Sequence, residues 1–254
     1  MFFDTHAHVN DKRFDEDREA FIESLSENNI FAFTEVAYDI KSSYAAVNLA
    51  QKHHKVYAAV GVHPSDVDSM VDDDLDILRE LCKREKTVAL GEIGLDYYYD
   101  DNPPRDMQIE WFSKQINVAK DIDMPIIVHS RDAMEDTINT LKETGANDGI
   151  IHCYSGSVES AKILLNMGFY ISIAGPVTFK NARALLDVAG YVPLDRLLIE
   201  TDSPYLTPEP YRGKRNCPVY VRYVCEKIAE LRKMSVEELA EITKENAKKV
   251  YRIK

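Results

Sequence analysis

The sequence has 254 residues, of which 45% are hydrophobic and 29% charged, and its formal net charge is −12. The apolar fraction is ample for a packed core, which excludes an intrinsically disordered chain. The acidic balance argues against a protein that binds nucleic acid through bulk positive charge, and the length suits one large domain or two small ones.

Short apolar segments alternate with longer segments of helical periodicity along the chain. Eight of the short segments have the composition of strands that are buried on both faces, as in a parallel sheet covered by helices. In chain order these predicted strands are residues 2–6, 31–37, 56–62, 87–93, 125–129, 149–152, 169–174 and 196–201. The predicted helices between them are residues 14–28, 42–54, 75–83, 106–120, 132–143, 157–167 and 180–188.

Two further helices are predicted after the eighth strand. Val221, Val224 and Ile228 lie on one helical face, and a last helix begins at Ser235, with Glu238 in the position of a capping box. Eight strands, each followed by a helix, predict a (β/α)8 TIM barrel that forms a single domain over residues 1–254. An open doubly wound sheet is the alternative, but no G-x-G-x-x-G or phosphate-loop motif supports it.

The cysteines and the apolar segments indicate a cytoplasmic protein. No basic leader precedes an apolar run, and no run approaches the ~20 residues that a membrane span needs. The four cysteines form no C-x-x-C pair, so neither a disulfide framework nor a structural zinc ribbon is expected.

Polar side chains concentrate at the ends of the predicted strands. Five of the seven histidines and two acidic residues fall there, namely His6, His8, His63, His129, His152, Glu92 and Asp202. In a barrel the carboxyl ends of the strands meet at one mouth, where active sites lie. Each residue alone would suit a hydrogen-bonded core position, but together they favour a ligand, because inward-facing polar groups need partners.

The spacing of these residues suits a pair of cations. Side chains alternate along a strand, so His6 and His8 point to the same side and can bind one cation together with Asp202. Glu92 can bridge to a second cation held by His129 and His152. Imidazole with carboxylate suits Zn, Mn, Fe, Co or Ni better than Ca, and paired cations ~3.5–4 Å apart are usual in phosphoester and amide hydrolysis.

Six motifs in chain order resemble the TatD family of metal-dependent hydrolases, across nearly the whole chain. They are Asp4-Thr5-His6-Ala7-His8, Gly61-Val62-His63-Pro64, Gly91-Glu92-Ile93-Gly94-Leu95-Asp96-Tyr97, Val128-His129-Ser130-Arg131, His152-Cys153-Tyr154-Ser155-Gly156 and Glu200-Thr201-Asp202-Ser203-Pro204-Tyr205-Leu206. The D-x-H-x-H motif alone is common among amidohydrolases, whereas its combination with G-E-I-G-L-D-Y and E-T-D-S-P-Y is much more specific. The sequence does not depart from the family at any expected ligand position.

The resemblance implies a TIM barrel with two divalent cations, which could be Zn, Mn, Mg, Co or Ni. His6, His8 and Asp202 would bind one cation, Glu92 would bridge, and His129 and His152 would bind the other. It also implies a deoxyribonuclease that releases nucleotides from a 3′ end, with single-stranded DNA or strand ends as the substrate. No obligatory protein partner is expected.

Other residues near the mouth are assigned supporting roles. Asp202 is expected to orient the attacking water and accept its proton, and His63 to contact a phosphate oxygen or the leaving group. Glu200 alternates with Asp202 and is expected to hold a ligand imidazole. Several basic side chains are expected near the mouth, where they could contact phosphates, namely Arg131, Lys180, Arg183, Arg212, Lys214 and Arg215. For the last three, which follow the eighth strand, a solvated loop is the alternative.

Three other functions remain open from the sequence. The same site could hydrolyse an aminoacyl ester, an amide or a lactone of a small substrate. Glu92 and Glu200 could be the carboxylate pair of a glycosidase, although the five histidines would then be unexplained. The barrel could also be a non-catalytic partner protein, which the complete set of six ligand positions argues against.

Overall fold

The computed structural model describes all 254 residues, and its eight strands form one parallel sheet in the order β1 to β8. The strands are β1 (Phe2–Ala7), β2 (Ile30–Val36), β3 (Val56–Val60), β4 (Thr87–Asp96), β5 (Ile126–Arg131), β6 (Gly149–Ile151), β7 (Tyr170–Ile173) and β8 (Leu197–Ile199). The sheet closes on itself where β1 ends, because Ala7 and Ser203 form a parallel bridge. This architecture is the (β/α)8 barrel and excludes the doubly wound sheet, whose edges stay open.

Helices follow the strands in turn and cover the outside of the barrel. They are α1 (Arg18–Glu23), α2 (Ile40–Lys52), α3 (Asp72–Cys82), α4 (Arg105–Asp121), α5 (Met134–Thr144), α6 (Val158–Met167), α7 (Arg183–Tyr191), α8 (Val221–Arg232) and α9 (Val236–Val250). The Ser235 hydroxyl accepts a hydrogen bond from the Glu238 amide at 3.1 Å and so caps α9. None of these helices has both the length and the apolar character needed to cross a membrane.

The first helix is much shorter than the sequence pattern predicts. The pattern predicts a helix over residues 14–28, but α1 spans only Arg18–Glu23, and Phe14 lies in a 3₁₀ turn that precedes it. Small polar side chains end the helix early: the Ser24 hydroxyl donates to the Phe21 carbonyl at 2.8 Å, and the Asn28 amide donates to the Ser24 carbonyl at 2.9 Å. Such local bonds compete with helical ones, which explains why the prediction was wrong here.

The interior of the barrel has an apolar layer on which the polar site rests. Thirteen buried apolar residues form a cluster separate from the larger core of 55 residues, and they include Ile127 of β5, Ile150 of β6 and Leu198 of β8. The side chains two positions further along these strands are His129, His152 and Glu200. Because strand side chains alternate with a period of two, the apolar layer directly supports the polar layer at the mouth.

Candidate metal centre

One half of the site lies where β1 meets the chain beyond β8. The Nε2 atoms of His6 and His8 are 3.2 Å apart, and the Oδ1 atom of Asp202 lies 3.4 Å from the Nε2 atom of His8 and 3.8 Å from that of His6. The Nδ1 atom of His8 lies 2.8 Å from the Val36 carbonyl and must donate to it. That bond keeps a proton on Nδ1, so a cation can bind His8 only at Nε2.

The other half of the site comes from β4, β5 and the end of β6. The Oε1 atom of Glu92 lies 2.7 Å from the Nδ1 atom of His129 and 2.7 Å from the Nε2 atom of His152. Its Oε2 atom faces the first half, 3.3 Å from the Nε2 atom of His6 and 3.7 Å from that of His8. Each oxygen of one carboxylate therefore faces one pair of imidazoles.

Two carboxylates lie behind the second pair of imidazoles. The Oε1 atom of Glu200 lies 3.3 Å from the Nδ1 atom of His152 and also accepts a 2.7 Å hydrogen bond from the Cys153 amide. The Oδ2 atom of Asp96 lies 3.0 Å from the Nε2 atom of His129. Glu200 is among the expected site residues, whereas Asp96 is not. A period-two count from Glu92 along the same strand could have found Asp96.

His63 lies beside the second pair as a hydrogen-bond donor. Its Nδ1 atom accepts a 3.1 Å hydrogen bond from the Ser65 amide, so the proton of the neutral ring is on Nε2. That Nε2 atom lies 3.8 Å from the Oε1 atom of Glu92. Burial and the nearby His129 lower the pKa of His63 to about 3, so the ring is neutral at physiological pH.

The charges of the site suit a cation. Burial opposes ionisation of Glu92, but His152, His6 and His129 outweigh it and hold the pKa of Glu92 well below its ordinary range. Burial likewise opposes the charged form of His8, but Asp202 and Glu92 outweigh it and raise the pKa of His8 to about 9. The carboxylates are therefore ionised, and a cation that binds here displaces a proton from His8.

The nitrogen and oxygen donor atoms of the site lie in two compact groups that could each hold a metal ion. Those of His6, His8 and Glu92 lie within 4.8 Å of one another, as do those of Glu92, His129 and His152. The Nδ1 atom of His6 is buried and has no hydrogen-bond partner. Internal hydrogen bonds therefore do not account for the His6 imidazole, and nitrogen with carboxylate oxygen is a donor set for transition metals.

The backbone at Asp202 is bent where the barrel closes. Its φ is 55°, in the left-handed region that few residues other than glycine adopt. Its amide donates to the His6 carbonyl at 2.9 Å, and the next residue, Ser203, accepts from the His8 amide at 2.7 Å. These bonds hold the bend and fix the direction of the Asp202 side chain.

A cleft of about 740 Å³ opens above the site. Of the six cations expected near the mouth, only Arg131 lines this cleft. Arg215 instead forms a bidentate pair with Asp17, with distances of 2.6 and 2.8 Å, and Arg212 lies over the ring of Phe179. The other five side chains do not line the cleft, so among the six the cleft geometry supports a phosphate contact only for Arg131.

Known proteins resemble this chain in both sequence and fold. A family described as TatD related DNase matches residues 3–252. YabD of Bacillus subtilis, named an uncharacterized metal-dependent hydrolase, is 49% identical over 255 residues that cover both chains in full. YcfH of Escherichia coli, with the same description, is 46% identical over 208 residues, which cover 81% of this chain and 77% of YcfH.

The solved structures give the same fold. The TatD homologue YJJV from Escherichia coli has a TM-score of 0.94 at 30% identity, covering 100% of this chain and 98% of that one. An amidohydrolase from Saccharomyces cerevisiae has a TM-score of 0.87 at 19% identity, covering 98% and 99% of the two chains. The second likeness concerns the fold alone.

Proposed function

This chain belongs to the TatD family of metal-dependent hydrolases, and on that premise we propose that it is a deoxyribonuclease that uses two divalent cations to release nucleotides from the 3′ end of DNA. The substrate we propose is single-stranded DNA or a strand end. We further propose that the whole chain acts as one domain, and that it works in the cytoplasm, where its four free cysteines stay reduced.

The position of Glu92 carries this proposal. One of its oxygens faces His6 and His8 and the other faces His129 and His152, at 2.7 to 3.7 Å. A carboxylate between two pairs of imidazoles is the arrangement that bridges two cations. We propose that His6, His8 and Asp202 hold one cation, and that His129 and His152 hold the other.

Hydrolysis of a phosphodiester needs positive charge near the phosphoryl oxygens and a base that takes a proton from the attacking water. Divalent cations bound here, whether Zn, Mn, Mg, Co or Ni, would supply positive charge to the phosphoryl oxygens and would bring the pKa of bound water close to neutral pH. Asp202, which is ionised and faces the cleft, accepts the proton of the attacking water. The bond from phosphorus to the 3′ oxygen of the remaining strand breaks, and that oxygen takes up a proton equal to the one that Asp202 accepted. His63 donates a hydrogen bond from Nε2 to a phosphate oxygen or to this leaving oxygen, and Arg131 pairs with a neighbouring phosphate.

The geometry disfavours a glycosidase. Glu200 is 0% exposed, and one of its oxygens is bonded to the Cys153 amide and faces His152. It does not line the cleft, so it cannot reach a sugar there. Glu92 faces four imidazoles, which leaves it poorly placed as a nucleophile.

Elemental analysis combined with hydrolysis assays tests the proposal. The purified chain should carry close to two equivalents of a divalent metal, and chelation should abolish its activity. With Mg, Mn, Co or Zn restored, it should shorten a 5′-labelled oligodeoxynucleotide one nucleotide at a time. Hydrolysis of amides, lactones or aminoacyl esters without cleavage of any nucleic acid would overturn the nuclease and favour a small-substrate hydrolase.

A further inference from the structure

Two neighbouring tyrosines project from the loop between β4 and α4 at the rim of the cleft. Tyr98 is 54% exposed and Tyr99 is 51% exposed, and their ring centroids are 4.8 Å apart with the planes nearly perpendicular. The guanidinium carbon of Arg131 lies 3.7 Å from the Tyr98 centroid and 5.1 Å from the Tyr99 centroid. Tyr99 also lines the cleft, so an aromatic surface borders the site.

The loop that carries the two rings is held at its base by Asp96. The Oδ1 atom of Asp96 accepts hydrogen bonds from the Tyr98 amide at 2.9 Å and from the Asn102 side chain at 3.1 Å. Gln108 of α4 donates to the Asp96 carbonyl at 3.0 Å and to the Pro103 carbonyl at 2.7 Å. The rings are therefore presented by a fixed loop, which limits the entropy lost when a ligand covers them.

The same aspartate relates this surface to the reaction centre. While its Oδ1 atom holds the loop, its Oδ2 atom lies 3.0 Å from His129. Arg131 lies two residues beyond His129 on β5, and Arg131 Nη1 donates to the Tyr99 hydroxyl at 3.4 Å. A phosphate bound beside His129 would therefore place its adjoining nucleotide next to Tyr99.

We propose that Tyr99, supported by Tyr98 and Arg131, stacks on the base of the 3′-terminal nucleotide, whose 5′ phosphate is the scissile one. We propose further that this stacking selects single-stranded ends. The inference rests on the proposed nuclease function and adds what the site recognises. Aromatic faces bind bases of any sequence, because every base has a π face. A paired base must first leave its own stack, which disfavours duplex substrates.

Fluorescence of 2-aminopurine tests the stacking directly. A single-stranded oligodeoxynucleotide with 2-aminopurine at its 3′ end is titrated with metal-loaded protein in an Asp202→Asn background, in which cleavage is slow compared with binding. Stacking should quench the probe. Tyr99→Leu should weaken binding by about 5- to 150-fold, the range that base–aromatic stacking gives on substitution, and should abolish the quench. Tyr99→Phe, which keeps the ring, should restore both.

Two controls separate stacking from general damage. Tyr191→Leu removes a tyrosine of similar exposure, 42%, from the end of α7 and should leave binding and quench unchanged. An oligonucleotide with an abasic 3′ residue should bind the Asp202→Asn protein as weakly as the base-containing strand binds the protein that also carries Tyr99→Leu. For the abasic strand, adding Tyr99→Leu should cause no further loss of affinity. Thermal melting checks that each variant is folded.

The outcomes distinguish this inference from the proposed function. Equal binding of abasic and base-containing strands, or an unchanged quench in Tyr99→Leu, would overturn the stacking role. Bis(p-nitrophenyl) phosphate contains no nucleobase, so its hydrolysis by the metal-loaded wild type tests the phosphodiesterase chemistry separately from base recognition. Failure there overturns the proposed function, whereas success there with equal binding of the two strands overturns only the inference.

Discussion

Asp96 links the second pair of imidazoles to the loop at the rim of the cleft. One oxygen lies 3.0 Å from His129, and the other holds the Tyr98 amide at 2.9 Å. A carboxylate behind a ligand imidazole fixes the tautomer and the direction of the ring, and it makes the ligating nitrogen more basic. We therefore expect Asp96 to set how well the His129 imidazole binds a cation.

We expect Asp96→Asn to weaken binding of the cation held by His129 by about 10- to 100-fold, the usual loss for such a partner. The amide has no negative charge to support the imidazole, although it keeps the size of the side chain. Competition with a chromophoric chelator measures the affinity of each cation. Equal losses at both cations, or at neither, would contradict the selective role of Asp96 behind His129.

Asp202 is the proposed base, and its replacement should separate chemistry from folding. We expect Asp202→Asn to lower turnover by at least ~10²-fold, since a positioned acid or base contributes about that much. The fold should persist, because the backbone amide of Asp202, and not its side chain, bonds to His6 in the barrel closure. Steady-state nuclease rates and melting temperatures measure the two effects. Near-normal rates in the variant would remove Asp202 from the proposed mechanism.

Glu35 gives a prediction about pH. Its carboxylate accepts hydrogen bonds from the Val9 and Asn10 amides at 2.7 and 3.0 Å, and burial raises its pKa to about 7 from an ordinary value of 4.5. The folded chain therefore holds this proton more tightly than the unfolded chain. Its contribution to the free energy of unfolding is fully present below pH 4.5 and is lost as the pH rises to about 7, by roughly 3 kcal/mol at most.

Glu35→Gln should remove this dependence. The unfolding free energy of the wild type should fall relative to that of the variant as the pH rises from 4.5 to 7. Above that pH the difference between the two should stay constant. Urea unfolding of the metal-free proteins at several pH values measures the difference. A difference that does not vary with pH would show that Glu35 does not titrate in this range.

At the scale of elements, the contact between β4 and β5 depends on a glycine. Gly94 has a φ of +148°, and a Cβ added there would lie 2.0 Å from the His129 carbonyl oxygen. We expect Gly94→Ala to destabilise the fold by more than ~3 kcal/mol, because backbone strain and a backbone clash add. Gly190→Ala in α7 is the matched control, since its Cβ would meet only Leu231 at 3.9 Å.

The control should stabilise the protein by up to ~1 kcal/mol, the usual gain of alanine over glycine in a helix. Chemical denaturation of both variants gives the comparison. A Gly94→Ala protein as stable as Gly190→Ala would mean that β4 and β5 can separate at this point without loss.

The elements differed in how far the sequence could predict them. All eight strands, β1 to β8, were predicted, because each is a short apolar run of the kind that is buried on both faces of a parallel sheet. Their ends then brought the predicted ligands together, since parallel strands of a barrel converge at one mouth. The helix over residues 14–28 was wrong because Ser24 and Asn28 bond locally, which an apolar period does not register.

The rim of the cleft could not be predicted in the same way. Tyr98 and Tyr99 lie in a loop whose direction depends on Asn102 and Gln108, two contacts that no periodicity encodes. The ring of Phe179 and the carboxylate of Asp17 likewise take cations that the sequence assigned to the mouth. Such pairings depend on tertiary structure alone.

At the scale of the whole molecule, affinity for a nucleic acid should depend only weakly on salt, because the chain has a net charge of −12 and offers few cationic side chains at the cleft. Arg131 is the one arginine or lysine that lines the cleft, which Asp11 and Asp66 also line. Each phosphate contact on a single strand gives a slope of about −0.7 in log affinity against log salt. With one or two contacts, raising salt from about 50 to 200 mM should weaken binding by less than about tenfold.

Fluorescence anisotropy of the Asp202→Asn protein with a labelled single strand measures this slope. A loss of about a thousandfold over the same range would indicate many phosphate contacts. Binding would then follow a basic surface outside the cleft, and stacking would contribute little.

The closure of the barrel also brings together the two ends of the chain that supply the first half of the site. His6 lies on β1 and His8 directly follows that strand, whereas Asp202 follows β8. The Tyr251 hydroxyl donates to the Thr5 carbonyl at 2.7 Å and so ties the last helix to β1. A nascent chain that has not yet released β8 holds the two imidazoles without their aspartate. We therefore expect hydrolytic activity to appear only after β8 and the segment that follows it have joined the barrel.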